Sequence, residues 1–173
     1  MDTAKVAFSP DREEDFLIRP VLASELPAIA ALDHEAFADY GTAESPQTFH
    51  YRFTAYPQGF LVLLKAGEIA GYGCAEKWDQ LREPVLDENP LQSHRPGGKV
   101  FCITGMAVKS SFRGKGYGLA ILDAFILLAK QEECEKVVLE TTHAQGLYRK
   151  RGFRMAYSRW DQGIRLDVMM LEL

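Results

Sequence analysis

The sequence predicts an α/β protein with one mixed, mostly antiparallel sheet that carries helices on both faces. Three observations predict this fold class. The chain has 173 residues, 47% of them hydrophobic and 25% charged, and this length suits a single domain. Short β-branched and aromatic runs alternate with apolar residues at helical spacing. No internal repeat or linker divides the chain, so we expect one domain over residues 1–173.

The first half of the chain is expected to form a strand, two helices and a hairpin. The run Phe16-Leu17-Ile18-Arg19-Pro20 is typical of a strand ended by proline. Apolar residues then recur at helical spacing after Ser24, which we expect to cap the first helix. Ala66-Gly67 separates two apolar runs and suits a hairpin turn. The predicted elements are a loose arm over 1–15, a strand at 16–20, helices after Ser24 and at about 46–55, and strands at 59–65 and 68–77.

The second half adds a central strand, a long helix and a final hairpin. Prolines and a Gly-Gly pair within residues 79–98 predict a loop or an insertion between strands. Gly105 interrupts a run of strong strand formers, which indicates a bulge or a close backbone approach. Gly152 suits the end of a helix. The predicted elements are strands at 99–108, 137–141, 153–160 and 164–173, with helices at 119–133 and 144–151, giving the order β-α-α-β-β-β-α-β-α-β-β.

Composition excludes several classes of protein. The formal net charge of −4 argues against a general nucleic-acid binder, which usually presents a basic domain. The longest apolar stretch, residues 119–129, falls short of the roughly 20 residues that span a bilayer. The first sixteen residues are acidic and have no apolar core of a signal peptide. The three cysteines lack metal-ligand spacing, so we expect a cytoplasmic protein with reduced thiols and no metal.

Charge is distributed unevenly along the chain. Residues 1–50 carry 3 basic and 10 acidic side chains, whereas residues 99–154 carry 10 basic and 5 acidic ones. This asymmetry favours an anion site in the C-terminal half and a surface that attracts cations in the N-terminal half. The alternative interpretation is that both charged stretches are simply solvent-exposed faces. Glu35, Asp39 and Glu44 are the acidic residues best suited to attract a cationic ligand.

The segment VKSSFRGKGYG, between the central strand and the long helix, carries the clearest chemistry. Gly114, Gly116 and Gly118 stand at alternate positions, where they allow backbone N–H groups to approach a ligand closely. They precede a helix, whose N-terminus favours phosphate, and Arg113 and Lys115 add positive charge. The spacing matches neither the phosphate loop of nucleotide hydrolases nor the dinucleotide fingerprint.

Arg113-Gly114-Lys115-Gly116-Tyr117-Gly118 resembles the [RQ]-x-x-G-x-[GA] loop of the GCN5-related N-acetyltransferase (GNAT) family, which holds the pyrophosphate of acetyl-CoA. Met106-Ala107-Val108 resemble the strand residues whose backbone pairs with the pantetheine arm in that family. Residues 144–153 are similar to the family segment A-x-x-L-Y-x-x-x-G-F. The close match covers about residues 103–153, and the three pieces keep the family's order and spacing.

The resemblance implies a site for acetyl-CoA and a role for each matching residue. Tyr148 corresponds to the general acid that protonates the departing thiolate. Thr141 stands where many family members have Asn. The resemblance alone does not decide whether Thr141 keeps the contact that this Asn makes with the cofactor arm. We expect the Met106 N–H, in the central strand, to face the thioester oxygen. The implied cofactor-binding residues are Met106, Ala107, Val108, Arg113, Gly114, Lys115, Gly116, Tyr117, Gly118 and Thr141.

The leading hypothesis is an acetyl-CoA-dependent N-acetyltransferase in which a primary amine, on a small molecule or a peptide, attacks the thioester directly in a ternary complex. Glu76 and Glu140 are candidates for the general base, directly or through water. The alternative is a non-catalytic acyl-CoA-binding sensor or interaction module, and Tyr148 favours the enzyme because a sensor needs no general acid. The glycine spacing disfavours a dinucleotide-dependent oxidoreductase. We expect no nucleic-acid or membrane partner, and a monomer or a homodimer.

Overall fold

The computed structural model describes residues 16–173 as a seven-stranded mixed sheet with helices packed on both faces. The strands are β1 (Phe16–Pro20), β2 (Phe60–Lys65), β3 (Glu68–Trp78), β4 (Val100–Val108), β5 (Lys136–Thr141), β6 (Arg154–Asp161) and β7 (Ile164–Glu172). The helices are α1 (Leu26–Phe37), α2 (Pro46–Ala55), α3 (Pro90–Ser93), α4 (Tyr117–Gln131) and α5 (Gln145–Arg149). This order confirms the predicted succession, with the short α3 in addition. The predicted loose arm, residues 1–15, lies outside the described residues.

The sheet opens at its centre. Its strand order is β1-β2-β3-β4-β5-β7-β6, and every neighbouring pair is antiparallel except β4 and β5. The parallel pairing of β4 with β5 ends at Ile103 and Leu139, whereas β4 continues to Val108 beside β3 alone. The β3–β4 register shifts between Cys74 and Ala75, next to Gly105. The bulge predicted at Gly105 is therefore confirmed, and it lies where the two strands part.

One core layer lies on each face of the sheet. On one face, α4 packs Ile121 and Phe125 against the sheet, and on the other, α1 and α2 contribute Ile29 and Phe49. Gly73 allows the closest approach of α4, because a Cβ atom there would lie 2.4 Å from Phe125 Cε2. The core is thus built from the apolar faces that the helical spacing predicted.

Two helix starts differ from the predictions. Ser24 does not cap α1; a 3₁₀ turn precedes the helix, and the Glu25 carboxylate accepts the Leu22 N–H at 2.8 Å and pairs with Arg19 at 2.6 Å. Glu25, the last residue of the turn, thus provides the hydrogen-bond acceptor for the N–H at its start. The helix α4 begins two residues earlier than predicted because Gly116, with φ +84°, serves as its N-cap.

Residues 79–98 connect β3 to β4 and are held in place by specific contacts. Ser93 Oγ donates to Glu76 at 2.9 Å, and the Lys77 N–H donates to His94 Nδ1 at 3.0 Å. Asp87 Oδ1 accepts from the Ser45 N–H at 2.7 Å, which joins the connection to the start of α2. Among residues 16–173, no helix has the length and apolar character needed to cross a membrane. The cytoplasmic location stays a prediction.

Candidate active site

The parting of β4 and β5 opens a cleft of about 850 Å³. The free half of β4, the loop before α4 and the start of α5 form one part of its lining. The rest of the lining comes from α1 and the residues that follow it, from α2, β3 and β5, from the 79–98 connection, and from β6 and β7. Alternate backbone groups of β4 after Ile103 lack a β5 partner, so an extended ligand can pair with them as a strand would.

The loop before α4 has the backbone of an anion site. Gly114 and Gly116 adopt φ +77° and +84°, in the left-handed region that favours glycine. Gly116 caps a helix of 15 residues, whose first N–H groups and dipole attract negative charge. The Arg113 Nε–H donates to the Val108 carbonyl at 2.9 Å, which fixes the loop to the end of β4.

The structure brings nine of the ten predicted cofactor-binding residues into this one cleft. Lys115 is the exception, since it is exposed beside the lining with its Nζ 6.0 Å from the centre of the Phe112 ring. The Tyr117 ring is buried and packs against Phe112 and Phe16. The residues that line the cleft are Met106, Ala107, Val108, Arg113, Gly114, Gly116, Tyr117, Gly118 and Thr141.

Tyr148 lies in α5 with its ring against Phe153, at a centroid distance of 5.9 Å. It lines the cleft, and within residues 16–173 its hydroxyl has no hydrogen-bond partner. Burial raises the pKa of Tyr148 to about 12, so the phenol stays protonated at neutral pH. Nearby, Thr141 Oγ1 accepts the Ala144 N–H at 2.9 Å, which anchors the turn before α5 and leaves the hydroxyl proton to donate.

Charged side chains of both signs line the cleft, with the acidic ones in excess. The basic residues Arg113 and Lys150 lie toward the glycine loop and α5, and Arg52 and Arg159 lie among the carboxylates. The acidic residues of the lining are Asp33, Glu44, Glu76, Glu88, Glu140 and Asp161. The part of the cleft away from the glycine loop is therefore electronegative.

A buried network joins α1, α2 and β3 in the electronegative part. Asp33 accepts from the Tyr72 hydroxyl and, at 2.8 Å, from the Glu44 N–H. The Arg52 Nη2 group donates to both carboxylate oxygens of Glu44, at 2.7 and 2.9 Å. Burial raises the pKa of Asp33 and of Glu44, while Arg52 opposes the rise in both.

Glu76 and Glu140, the two predicted candidates for a general base, have different surroundings. Glu76 is buried and accepts from Trp78 Nε1 at 2.5 Å and from Ser93. Glu140 directly follows Leu139, the last β5 residue paired with β4, and accepts from Arg159 Nε at 2.7 Å and Nη2 at 3.0 Å. Burial raises the pKa of Glu140, and Arg159 opposes it.

Several lining residues carried no sequence signal. Tyr40, at the end of α1, stacks on His143, after β5, with ring centroids 4.6 Å apart, so two walls of the cleft touch. Arg159 Nη2 also donates to the Pro84 carbonyl at 3.1 Å, across 75 positions of the chain. The described residues contain no group of three or more side chains arranged to bind a metal.

A family model described as the acetyltransferase (GNAT) family matches residues 26–153. The chain belongs to the GNAT family of acetyltransferases. The predicted family and fold class are therefore confirmed, and the match includes β4, the glycine loop and α5. Membership supports acetyltransferase activity in general.

A curated relative and two solved structures agree with this family assignment. It is 37% identical over 60 residues to "Probable glucosamine 6-phosphate N-acetyltransferase 2" of Oryza sativa subsp. japonica, a match that spans 34% of this chain and only 36% of that protein. The loading GNATL domain of CurA from Lyngbya majuscula superposes with TM-score 0.79 at 15% identity, covering 91% of this chain and 98% of that one. Arabidopsis thaliana Naa50, solved with the bisubstrate analogue CoA-Ac-MVNAL, gives TM-score 0.71 at 14% identity, covering 91% and 99%. At these identities the structural matches show the fold.

Proposed function

We propose that this GNAT protein transfers an acetyl group from acetyl-CoA to a primary amine by direct attack in a ternary complex. The observation that carries the proposal is the parting of β4 from β5 after Ile103 and Leu139. The resulting cleft is shared by unpaired β4 backbone groups, a glycine loop at a helix N-terminus and the Tyr148 hydroxyl. These are the features that a long cofactor with a pyrophosphate and a reactive thioester requires.

Each part of the cleft fits a different part of acetyl-CoA. The backbone of Met106, Ala107 and Val108 would hold the pantetheine arm as an added strand, with the Thr141 hydroxyl as a further donor. Gly114, Gly116, Tyr117 and Gly118 would present backbone N–H groups to the pyrophosphate. Arg113 adds charge beside them, and Lys115 adds it from the exposed side of the loop. The proposal assigns no role to a metal ion.

The chemistry is assigned to three groups of the chain. Acetyl-CoA supplies an activated thioester whose carbon forms a bond to the amine nitrogen as the bond to sulfur breaks. In this proposal the Met106 N–H stabilises negative charge on the acyl oxygen, and Tyr148 donates its proton to the departing sulfur. Glu140 takes the proton from the amine, directly or through one water.

Glu140 is preferred to Glu76 for two reasons. It follows the last paired residue of β5, at the vertex of the opening, whereas Glu76 lies on β3, which stays paired with β4. Burial also raises the pKa of Glu140, which favours proton uptake by this carboxylate. Both carboxylates already accept hydrogen bonds, Glu76 from Trp78 and Ser93 and Glu140 from Arg159, so hydrogen bonding does not separate the two candidates.

Two measurements on the purified chain test the proposal. Acetyl-CoA is expected to raise the melting temperature, because a ligand at 100 times its Kd stabilises the folded state by about 2.7 kcal/mol. Thiol release with a panel of primary amines is expected to show turnover. A thermal shift without release for any amine would favour the acyl-CoA sensor instead, and the absence of any shift would contradict both functions.

A further inference from the structure

Three consecutive residues of the 79–98 connection, Pro84, Val85 and Leu86, line the cleft and are called here the 84–86 strip. The Val85 and Leu86 side chains are exposed, at 60% and 47%, although both are large and apolar. Leu91, on the same connection, is exposed to a similar degree, at 50%, but lies outside the cleft. Single exposed apolar residues are ordinary; two adjacent ones inside a ligand cleft suggest a surface that a ligand covers.

Contacts with distant parts of the chain hold both ends of the strip. At its start, the Pro84 carbonyl accepts from Arg159, the residue that also binds Glu140. Just after its end, the Asp87 N–H donates to Glu44 at 3.3 Å, and Asp87 Oδ1 accepts from Thr48 Oγ1 at 2.8 Å. The strip is therefore a fixed wall, so a ligand that packs on it need not first order a loop.

The same contacts place a carboxylate near each end of the strip. Arg159 Nη2 donates to both the Pro84 carbonyl and the Glu140 carboxylate. At the other end, the Glu44 carboxylate accepts the N–H of the residue that follows Leu86. Both carboxylates line the cleft, in the part where acidic side chains exceed basic ones. A cationic ligand with an apolar body matches this surface. A phosphate-bearing amine matches it less well, because six carboxylates and only two guanidinium groups, those of Arg52 and Arg159, line this part of the cleft.

We propose that the acceptor is a small primary amine whose ammonium group lies beside Glu140 and whose apolar substituent packs on Val85 and Leu86. The inference rests on the proposed acetyl transfer and specifies its second substrate. The amine nitrogen lies at the vertex where β4 and β5 part, and the strip begins on the other side of Arg159. The apolar group therefore adjoins the amine within a few carbon atoms.

The test uses the full chain and four kinds of primary amine in a thiol-release assay with saturating acetyl-CoA. These are alkylamines from ethylamine to hexylamine, 2-phenylethylamine, 1,4-diaminobutane and glucosamine 6-phosphate. We expect kcat/KM to rise about fourfold for each added methylene until the strip is covered. The double variant Val85→Ser/Leu86→Ser is expected to raise KM for hexylamine at least tenfold, with little change in kcat. Leu91→Ser is the matched control and is expected to change neither constant.

Each other outcome overturns the inference. Values of kcat/KM that do not depend on chain length, or a chain-length dependence that survives in the double variant, would show that the strip does not bind the acceptor. A preference for the diamine or for the phosphorylated sugar would identify a different acceptor class while the acetyl transfer stands. If acetyl-CoA stabilises the fold but no amine releases thiol, acetyl transfer fails as well. As a control for folding, the double variant is expected to keep the full thermal shift with acetyl-CoA, because the substitutions lie away from the glycine loop.

Discussion

Replacing Tyr148 with phenylalanine separates proton donation from packing. The ring would keep its contact with Phe153, and the lost hydroxyl has no hydrogen-bond partner within residues 16–173. No described polar group is left unpaired, so the free energy of unfolding should change by less than about 0.5 kcal/mol. The proton donor is removed, so kcat should fall by about 10²-fold, which corresponds to about 2.7 kcal/mol in the activation barrier.

The assay is thiol release at saturating acetyl-CoA and amine, measured between pH 6 and 10. Burial raises the pKa of Tyr148 to about 12, so the wild-type phenol keeps its proton over this range and should cause no alkaline loss of activity. Tyr51→Phe, on α2 and outside the cleft lining, is the matched control. A Tyr148→Phe enzyme within twofold of the control would refute the general-acid role. A raised KM for acetyl-CoA at constant kcat would make Tyr148 a binding residue.

Three further substitutions test other parts of the structure. Gly118→Ala should keep the thermal shift given by acetyl-CoA, because its Cβ would make only ordinary van der Waals contacts, at 3.6 Å with Leu147 and 3.8 Å with Val108. Gly118→Glu should abolish the shift by placing a carboxylate at the α4 N-terminus; equal shifts in the two variants would contradict the anion site. In the wild type, activity should be lost as pH falls through the raised pKa of Glu140, because the protonated carboxyl cannot act as a base. Glu140→Gln should lower kcat/KM and remove this acidic loss in rates measured from pH 5 to 8. An unaltered pH profile in the variant would exclude Glu140 as the base. Gly73→Ala should destabilise the fold by about 1–3 kcal/mol in urea unfolding, because the new methyl group would lie 2.4 Å from Phe125; an unchanged midpoint would contradict the close approach of α4.

Much of the architecture follows from local sequence patterns. Strand and helix periodicities predict the element order because each element buries an apolar face of its own. Gly105 marks the bulge, since a glycine among strong strand formers signals an irregular backbone. The glycine loop gathers its residues within six positions, so spacing alone brings most of them into one cleft.

The electronegative part of the cleft could be predicted only in part: of the three acidic residues singled out, Glu44 lines it, whereas Glu35 and Asp39 do not. Its contacts join residues far apart in the chain, such as Arg159 with Pro84 and Ser45 with Asp87, and no local pattern encodes such pairs. Lys115 shows the converse: its spacing suits the glycine loop, yet its side chain lies over the Phe112 ring and is not part of the lining. Ser24 has a good capping side chain, but it lies inside the 3₁₀ turn Ala23–Glu25 that precedes α1.

The separation of β4 from β5 gives the sheet an edge in its interior. Such edges carry unpaired N–H and C=O groups that recruit other strands, and proteins usually shield them. Here this edge lies inside the cleft, beside residues of the 79–98 connection and of β7. Under the proposed function, acetyl-CoA completes the hydrogen bonding of residues 104–108, and their amide hydrogens should exchange more slowly as its concentration rises. The local opening of the sheet, and with it the susceptibility of the chain to proteolysis, would then depend on the supply of its own substrate.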